Sequence, residues 1–187
     1  MLCALLASCG GGGDSAAPAG GPTGEAPAAS TPASSPAATV GSTCNLPDFR
    51  AAVLARINQV RASGADCGSD GVFGAAAPVA WNDQLTLAAE GHSQDMAAKN
   101  YFSHTSADGR TLADRVNATG YTWSSLGENI AAGYPGINAV MDAWIASPGH
   151  CANLMNAGFA DVGVVCVPGS AGDTYSTYWT MDLGRPR

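Results

Sequence analysis

The chain is 187 residues long, 46% apolar and only 12% charged, with a net charge of −7. That length holds one ordinary domain and a tail, and the apolar share suffices for a packed core. Phosphate binding needs clustered Lys and Arg; the eight basic residues here are scattered in an acidic chain, which excludes nucleic acid and a polybasic membrane patch as partners.

Residues 1–8 form a short apolar run that ends at Cys9, and Leu6-Ala7-Ser8-Cys9 resembles the lipobox of bacterial lipoproteins. Residues 1–9 therefore read as a truncated lipoprotein signal segment with Cys9 as the lipidated residue. An export signal also carries a basic start and an apolar stretch of roughly 7–15 residues. No Lys or Arg precedes Cys9, so either the true start lies upstream or this is an ordinary apolar terminus. Residues 10–43 are Gly, Ala, Pro, Ser and Thr apart from Asp14, Glu25 and Val40. Such a composition buries too little apolar area to offset its ordering entropy, which predicts a disordered tether with an r.m.s. span of roughly 30–35 Å. The expectation is an exported protein, lipid-anchored to a bacterial envelope or secreted.

Beyond Cys3 and Cys9 lie four cysteines, Cys44, Cys67, Cys151 and Cys166. An even number in an exported domain favours two disulfides, with three possible pairings. Locality favours Cys44–Cys67 and Cys151–Cys166, each clipping the ends of one local element. A zinc–thiolate cluster lacks the C-x₂-C spacing it needs.

From Cys44 to Arg187 the pattern is that of one domain. A first helix is predicted from Asp48 to Ala62, with Asn45 as cap, Pro47 near the first turn, and Val53, Leu54, Ile57 and Val60 facing inward. Val79 to Trp81 is a short extended piece. A second helix runs from Asn82 or Asp83 to Lys99 with Leu85, Ala88, Ala89, His92 and Met96 on one stripe. Tyr101 to His104 is predicted as a loop, Thr111 to Ala118 as a short helix, and Gly127 to Ile130 as a second loop. The fourth helix, Ile137 to Ala146, ends at Ser147-Pro148-Gly149, and another helical turn begins near His150. Two β runs, Phe159 to Val167 and Thr174 to Leu183, read as a hairpin. Helices first and hairpin strands last give an α+β class or a layered α-β-α arrangement.

The chain holds three histidines. His104 and Glu128 fall in predicted loops and His150 just past a helix, where site residues concentrate. Two imidazoles and a carboxylate can bind a divalent metal or share protons around a water, but spacing alone leaves a shared site and separate structural roles both open. His92, on the buried stripe, reads as a hydrogen-bonded core histidine. Trp81, Trp144 and Trp179 read as core aromatics. Ser147 with His150 lacks the G-x-S-x-G elbow of a serine hydrolase, so a cap or hydrogen-bonding role fits it better.

The strings Ala88 to Ala97 (AAEGHSQDMA), Tyr101 to His104 (YFSH), Gly127 to Ala131 (GENIA), Trp144 to His150 (WIASPGH) and Tyr178 to Thr180 (YWT) occur in an order and spacing that resembles a bacterial CAP domain, of the cysteine-rich secretory, antigen 5 and pathogenesis-related superfamily. The resemblance covers nearly all of Asp48 to Leu183. It implies a three-layer α-β-α sandwich with a central antiparallel sheet, and a cleft of two His and two acidic residues that binds Zn²⁺ or another divalent cation in some members. His104, Glu128 and His150 match three cleft positions. Ser147 stands where eukaryotic members place the fourth, acidic one, and Asp142 points to a different helix face. The implied function is a non-catalytic binding module, expected as a monomer, for a protein, lipid or cell-wall ligand. The alternative is a metal-dependent hydrolase of peptidase type, with Glu128 as general base and a water activated on His104 and His150.

Overall fold

The computed structural model describes residues 41–187; Cys9 with its lipobox, and nearly all of the expected tether, lie outside the described residues. Helix α1 spans Phe49–Ser63 and is followed by a small antiparallel pair, β1 (Ala65–Asp66) and β2 (Val72–Phe73). Strand β3 (Ala80–Trp81) leads into α2 (Asp83–Lys99) and then α3 (Leu112–Ala118). After β4 (Trp123–Ala132) come α4 (Ile137–Ala146), α5 (Pro148–Met155), β5 (Asp161–Pro168) and β6 (Thr177–Pro186).

Local chemistry sets several of these boundaries. Asn82 caps α2 by accepting from the backbone N–H of Gln84 and Leu85, and the left-handed Asn100 ends it. Thr111 and Asp114 form a capping box on α3, satisfying two backbone donors reciprocally. The cap of α1 departs from expectation. Asp48 holds that position without a side-chain bond, and Asn45 instead takes a left-handed turn conformation beside Cys44.

The main sheet has the order β3-β5-β6-β4. Both β5–β6 and β4–β6 are antiparallel, whereas β3 runs parallel to β5, so the central sheet is mostly but not wholly antiparallel. Thr43 also bridges Cys166 in parallel fashion, which draws residues 42–43 out of the expected tether and into the fold. Strand alternation divides the layers. Trp179, Met181 and Leu183 of β6 enter one core with Phe49, Val53 and Ile57 of α1 and Val140, Met141 and Trp144 of α4. On the opposite face Tyr178 packs with Met96 of α2, and the Thr180 and Ser93 hydroxyls bond at 2.7 Å. The result is the three-layer α-β-α sandwich.

The disulfides correct the pairing expected from locality. They join Cys44 to Cys166 and Cys67 to Cys151, not Cys44 to Cys67 and Cys151 to Cys166. Cys44 follows the short segment laid along the edge of β5, where Cys166 sits. Cys67 packs on α5 in a satellite core with Cys151, Met155 and Val60. The fold thus joins residues 122 and 84 positions apart, a proximity that chain distance conceals.

A buried cation stitches the layer of α1 and α5. Arg61, fully buried, donates to the carbonyls of Ala77, Leu154, Asn156 and Phe159, so its charge is solvated by peptide dipoles rather than by water.

Candidate functional site

Glu128 is not in a loop. It lies within β4, an edge strand of the sheet, directly opposite Asp182 of β6. The Gly127 before it has no room for a Cβ, which would meet the Phe159 ring at 2.8 Å, so packing demands glycine in the G-E-N string. His150 lies just past the end of α4, in the first turn of α5 after Pro148, where the sequence predicts a further helical turn. Only His104 sits in a loop, between α2 and α3.

The structure gathers the four expected cleft residues as two pairs. His104 Nδ1 donates to Glu128 Oε1 at 2.8 Å, and His150 Nδ1 bonds Ser147 Oγ at 2.9 Å. Amide side chains link the pairs. Asn129 Nδ2 donates to the His150 carbonyl, while Asn153 Nδ2 donates both to Asn129 Oδ1 and to the Glu128 carbonyl. Burial lowers the His150 pKa, and the neighbouring charge of His104 lowers it further. Ser147 opens α5 and bonds the imidazole one turn on, the hydrogen-bonding role expected of it.

Two charged residues that sequence reasoning missed complete the site. Arg115 of α3 is 3% exposed and pairs with Glu128 Oε2. Its other terminal nitrogen donates to the carbonyls of His104 and Arg110 and to Ser106 Oγ. Burial alone would raise the Glu128 carboxyl; the His104 hydrogen bond and the Arg115 charge together outweigh it and hold the pKa below its ordinary value. Asp182 is fully buried, and neither of its oxygens has a hydrogen-bond partner. Burial, and then the charge of Glu128, push its carboxyl well above the usual range. A visible signal existed for Asp182, an acid inside the apolar run Tyr178 to Leu183. Arg115, one cation on a short helix, offered none.

His92 is the core histidine expected. Its Nε2–H donates to the Ser103 carbonyl at 2.8 Å, and Ser106 Oγ donates to its Nδ1 at 3.3 Å. Burial lowers its pKa, in keeping with a neutral ring. The His104 loop is therefore gripped from both sides, by His92 on α2 and Arg115 on α3. Asp142, set aside as pointing elsewhere, pairs with Arg56 of α1. Trp144 and Trp179 are core residues, and Trp81 packs beside that core with Arg50 stacked over its ring.

Beside these pairs runs a groove of about 350 Å³. Its floor is the edge strand, Ile130 to Ala132, and Ser147 and His150 stand at its polar part. Phe102, Tyr134, Trp144 and Tyr175 supply aromatic walls. The Trp144 indole also caps the outward carbonyl of Ile130 at 3.2 Å, and Asn153 caps that of Glu128, so helices α4 and α5 shield part of the edge. His104 and Glu128 do not line this groove.

The donor set fits a divalent metal poorly. No group of three or more His, Cys, Asp and Glu side chains among the described residues is arranged to hold an ion. Both Glu128 oxygens and one nitrogen of each histidine are already engaged. Two free imidazole nitrogens fall short of the three or four protein ligands that zinc sites use.

The three-layer sandwich belongs to one class of domain, shared with SCP-domain proteins. The chain is a member of the cysteine-rich secretory protein (CAP) family, whose profile matches residues 54–183. Among particular relatives, it is 37% identical over 87 residues to the uncharacterized protein YkwD of Bacillus subtilis (strain 168), covering 46% of this chain and 34% of that protein. It is 36% identical over 88 residues to the uncharacterized membrane protein YlbC of the same strain, covering 47% of this chain and 25% of that one. The chain thus spans about a third and a quarter of the length of these two relatives. An extracellular protein containing a SCP domain from Bacillus anthracis str. Ames superposes with TM-score 0.52 at 35% identity, over 59% of this chain and 34% of that one. An outer surface protein of Borrelia burgdorferi shares the fold at TM-score 0.61 and 17% identity, over 74% of this chain and 92% of that one. No helix among the described residues is long and apolar enough to cross a membrane.

Proposed function

We propose that this protein is an envelope-exposed binding module whose groove along the outer edge of β4 takes the apolar body of a ligand, a lipid chain or the apolar side chains of a partner. The groove itself carries this reading. It is concave, walled by aromatic rings and edged by the Ser147–His150 pair, the mix of apolar lining and few polar groups that ligand sites share. The extracellular relative from Bacillus anthracis supports exposure outside the cytoplasm. The hydrolase reading has weaker support, because the Arg115 and His104 contacts lower the Glu128 pKa and so make it a weaker base.

The test uses an apolar fluorescent probe, anilinonaphthalene sulfonate. Wild-type protein should bind it, and Ala143→Trp, which fills the groove while leaving both histidine pairs intact, should abolish the signal. Equal fluorescence in the two proteins would sink the reading. For the anchor we propose lipidation at Cys9, inferred from the Leu6-Ala7-Ser8-Cys9 string. A labelled fatty acid should enter the protein expressed in a bacterium and not enter Cys9→Ser; label retained in the variant would refute it.

A further inference from the structure

We infer that Arg115 is the resident cation of the site: its guanidinium takes the electrostatic place that the family resemblance would give a divalent metal, and it holds the Glu128–His104 pair without one. The argument rests on how each donor is spent. Glu128 sits on the edge strand with its side chain almost wholly buried, and an ionised carboxylate there needs a partner of opposite charge. Arg115, equally buried, meets that need at Oε2. The same guanidinium reaches the His104 and Arg110 carbonyls and Ser106 Oγ at 3.1–3.2 Å, so a single cation joins the loop to the strand. Its fixed planar fork suits such multiple bonding where the point charge of a Lys would not.

The consequence reaches the surface. With Oε1 of Glu128 accepting from His104 Nδ1, the imidazole is fixed as the Nδ1–H tautomer. Its Nε2 lone pair is then left for solvent, on a side chain that is 59% exposed. The site thus presents a hydrogen-bond acceptor to a hydroxyl, amide or ammonium group of a ligand, while a metal ion would find in this pair one free imidazole nitrogen, short of the three or four protein ligands it needs. A divalent ion drawn to Glu128 would have to displace either the guanidinium or the imidazole, and would meet the guanidinium charge at close range. Asp182 offers no replacement ligand, being fully buried behind Glu128. Arg115 acts through Glu128 and His104, and is a positioning residue.

The experiment is ¹⁵N NMR of the histidine rings in the full chain, after treatment with a chelator and then in millimolar zinc chloride. Wild-type His104 should show the Nδ1–H tautomer, and zinc should shift neither its ring nitrogens nor the melting temperature. In Arg115→Gln the carboxylate loses its cation, so the His104 tautomer signature should change and zinc should now perturb it. Folded Arg115→Gln with unchanged His104 nitrogens would make Arg115 merely structural and overturn the inference. Should that variant fail to fold, the wild type decides alone. Zinc saturating it at micromolar concentration, with the effect lost in His104→Gln, would show a true metal site and equally overturn the inference.

Discussion

Glu128 and Asp182 face each other across β4 and β6, and the Arg115 guanidinium pairs with Glu128. The Gly133 N–H donates to the Thr177 carbonyl, which sets the hydrogen-bonded pairs of this ladder at odd positions of β4. Residues 128 and 182 are then a non-hydrogen-bonded pair, with Cα atoms about 4.5 Å apart and side chains close. Two carboxylates so placed cannot both ionise. Arg115 and His104 favour the charge on Glu128, whereas Asp182, with no hydrogen-bond partner, is the carboxyl whose pKa is pushed up. Its folded pKa lies above the unfolded value of 3.8, so the folded chain retains a proton that the unfolded chain releases. Stability from this group is complete below the unfolded pKa and is lost as pH rises toward the folded one. Asp182→Asn keeps the shape and removes the titration. Relative to wild type, the variant should gain stability between about pH 4 and about pH 7, read from urea unfolding at both. A constant difference across that range would show that Asp182 does not titrate on unfolding. His92 and Glu128 act in the opposite sense. Both pKa values are lowered on folding, so their contributions fall away as pH drops, from near 6.5 for His92 and 4.5 for Glu128.

At the scale of elements, the site depends on how α5 and α2 are pinned to the sheet. Gly163 of β5 lets α2 approach so closely that a Cβ there would lie 2.2 Å from the Thr86 nitrogen. That approach carries His92, and with it the His104 loop, to the sheet. On the other face, the Cys67–Cys151 bridge ties the turn between β1 and β2 to α5, next to His150. Replacing both cysteines by serine should cost about 2–5 kcal/mol of stability. The loss should be uneven, because only α5 is released: amide exchange should quicken there more than in α2. Equal acceleration in both helices would show that the bridge stabilises the chain only globally.

Across the whole molecule, the helices were legible because their signals are local. The 3.6-residue stripes, the Asn82 cap and the Thr111 start mark α1, α2 and α3 to within a residue or two. Motif order identified the family, and with it the layered fold. The sequence by itself determined those features, together with the buried role of His92, because each depends on residue type and short-range spacing. Tertiary structure alone decided which cysteines meet, that Glu128 belongs to a strand, and that Arg115 and Asp182 share its environment. These are contacts between segments far apart in the chain, fixed by strand register and helix docking. The physical reason is that partner and burial, which set the charge of a carboxylate or the fate of a thiol, are properties of the packed neighbourhood and not of the residue.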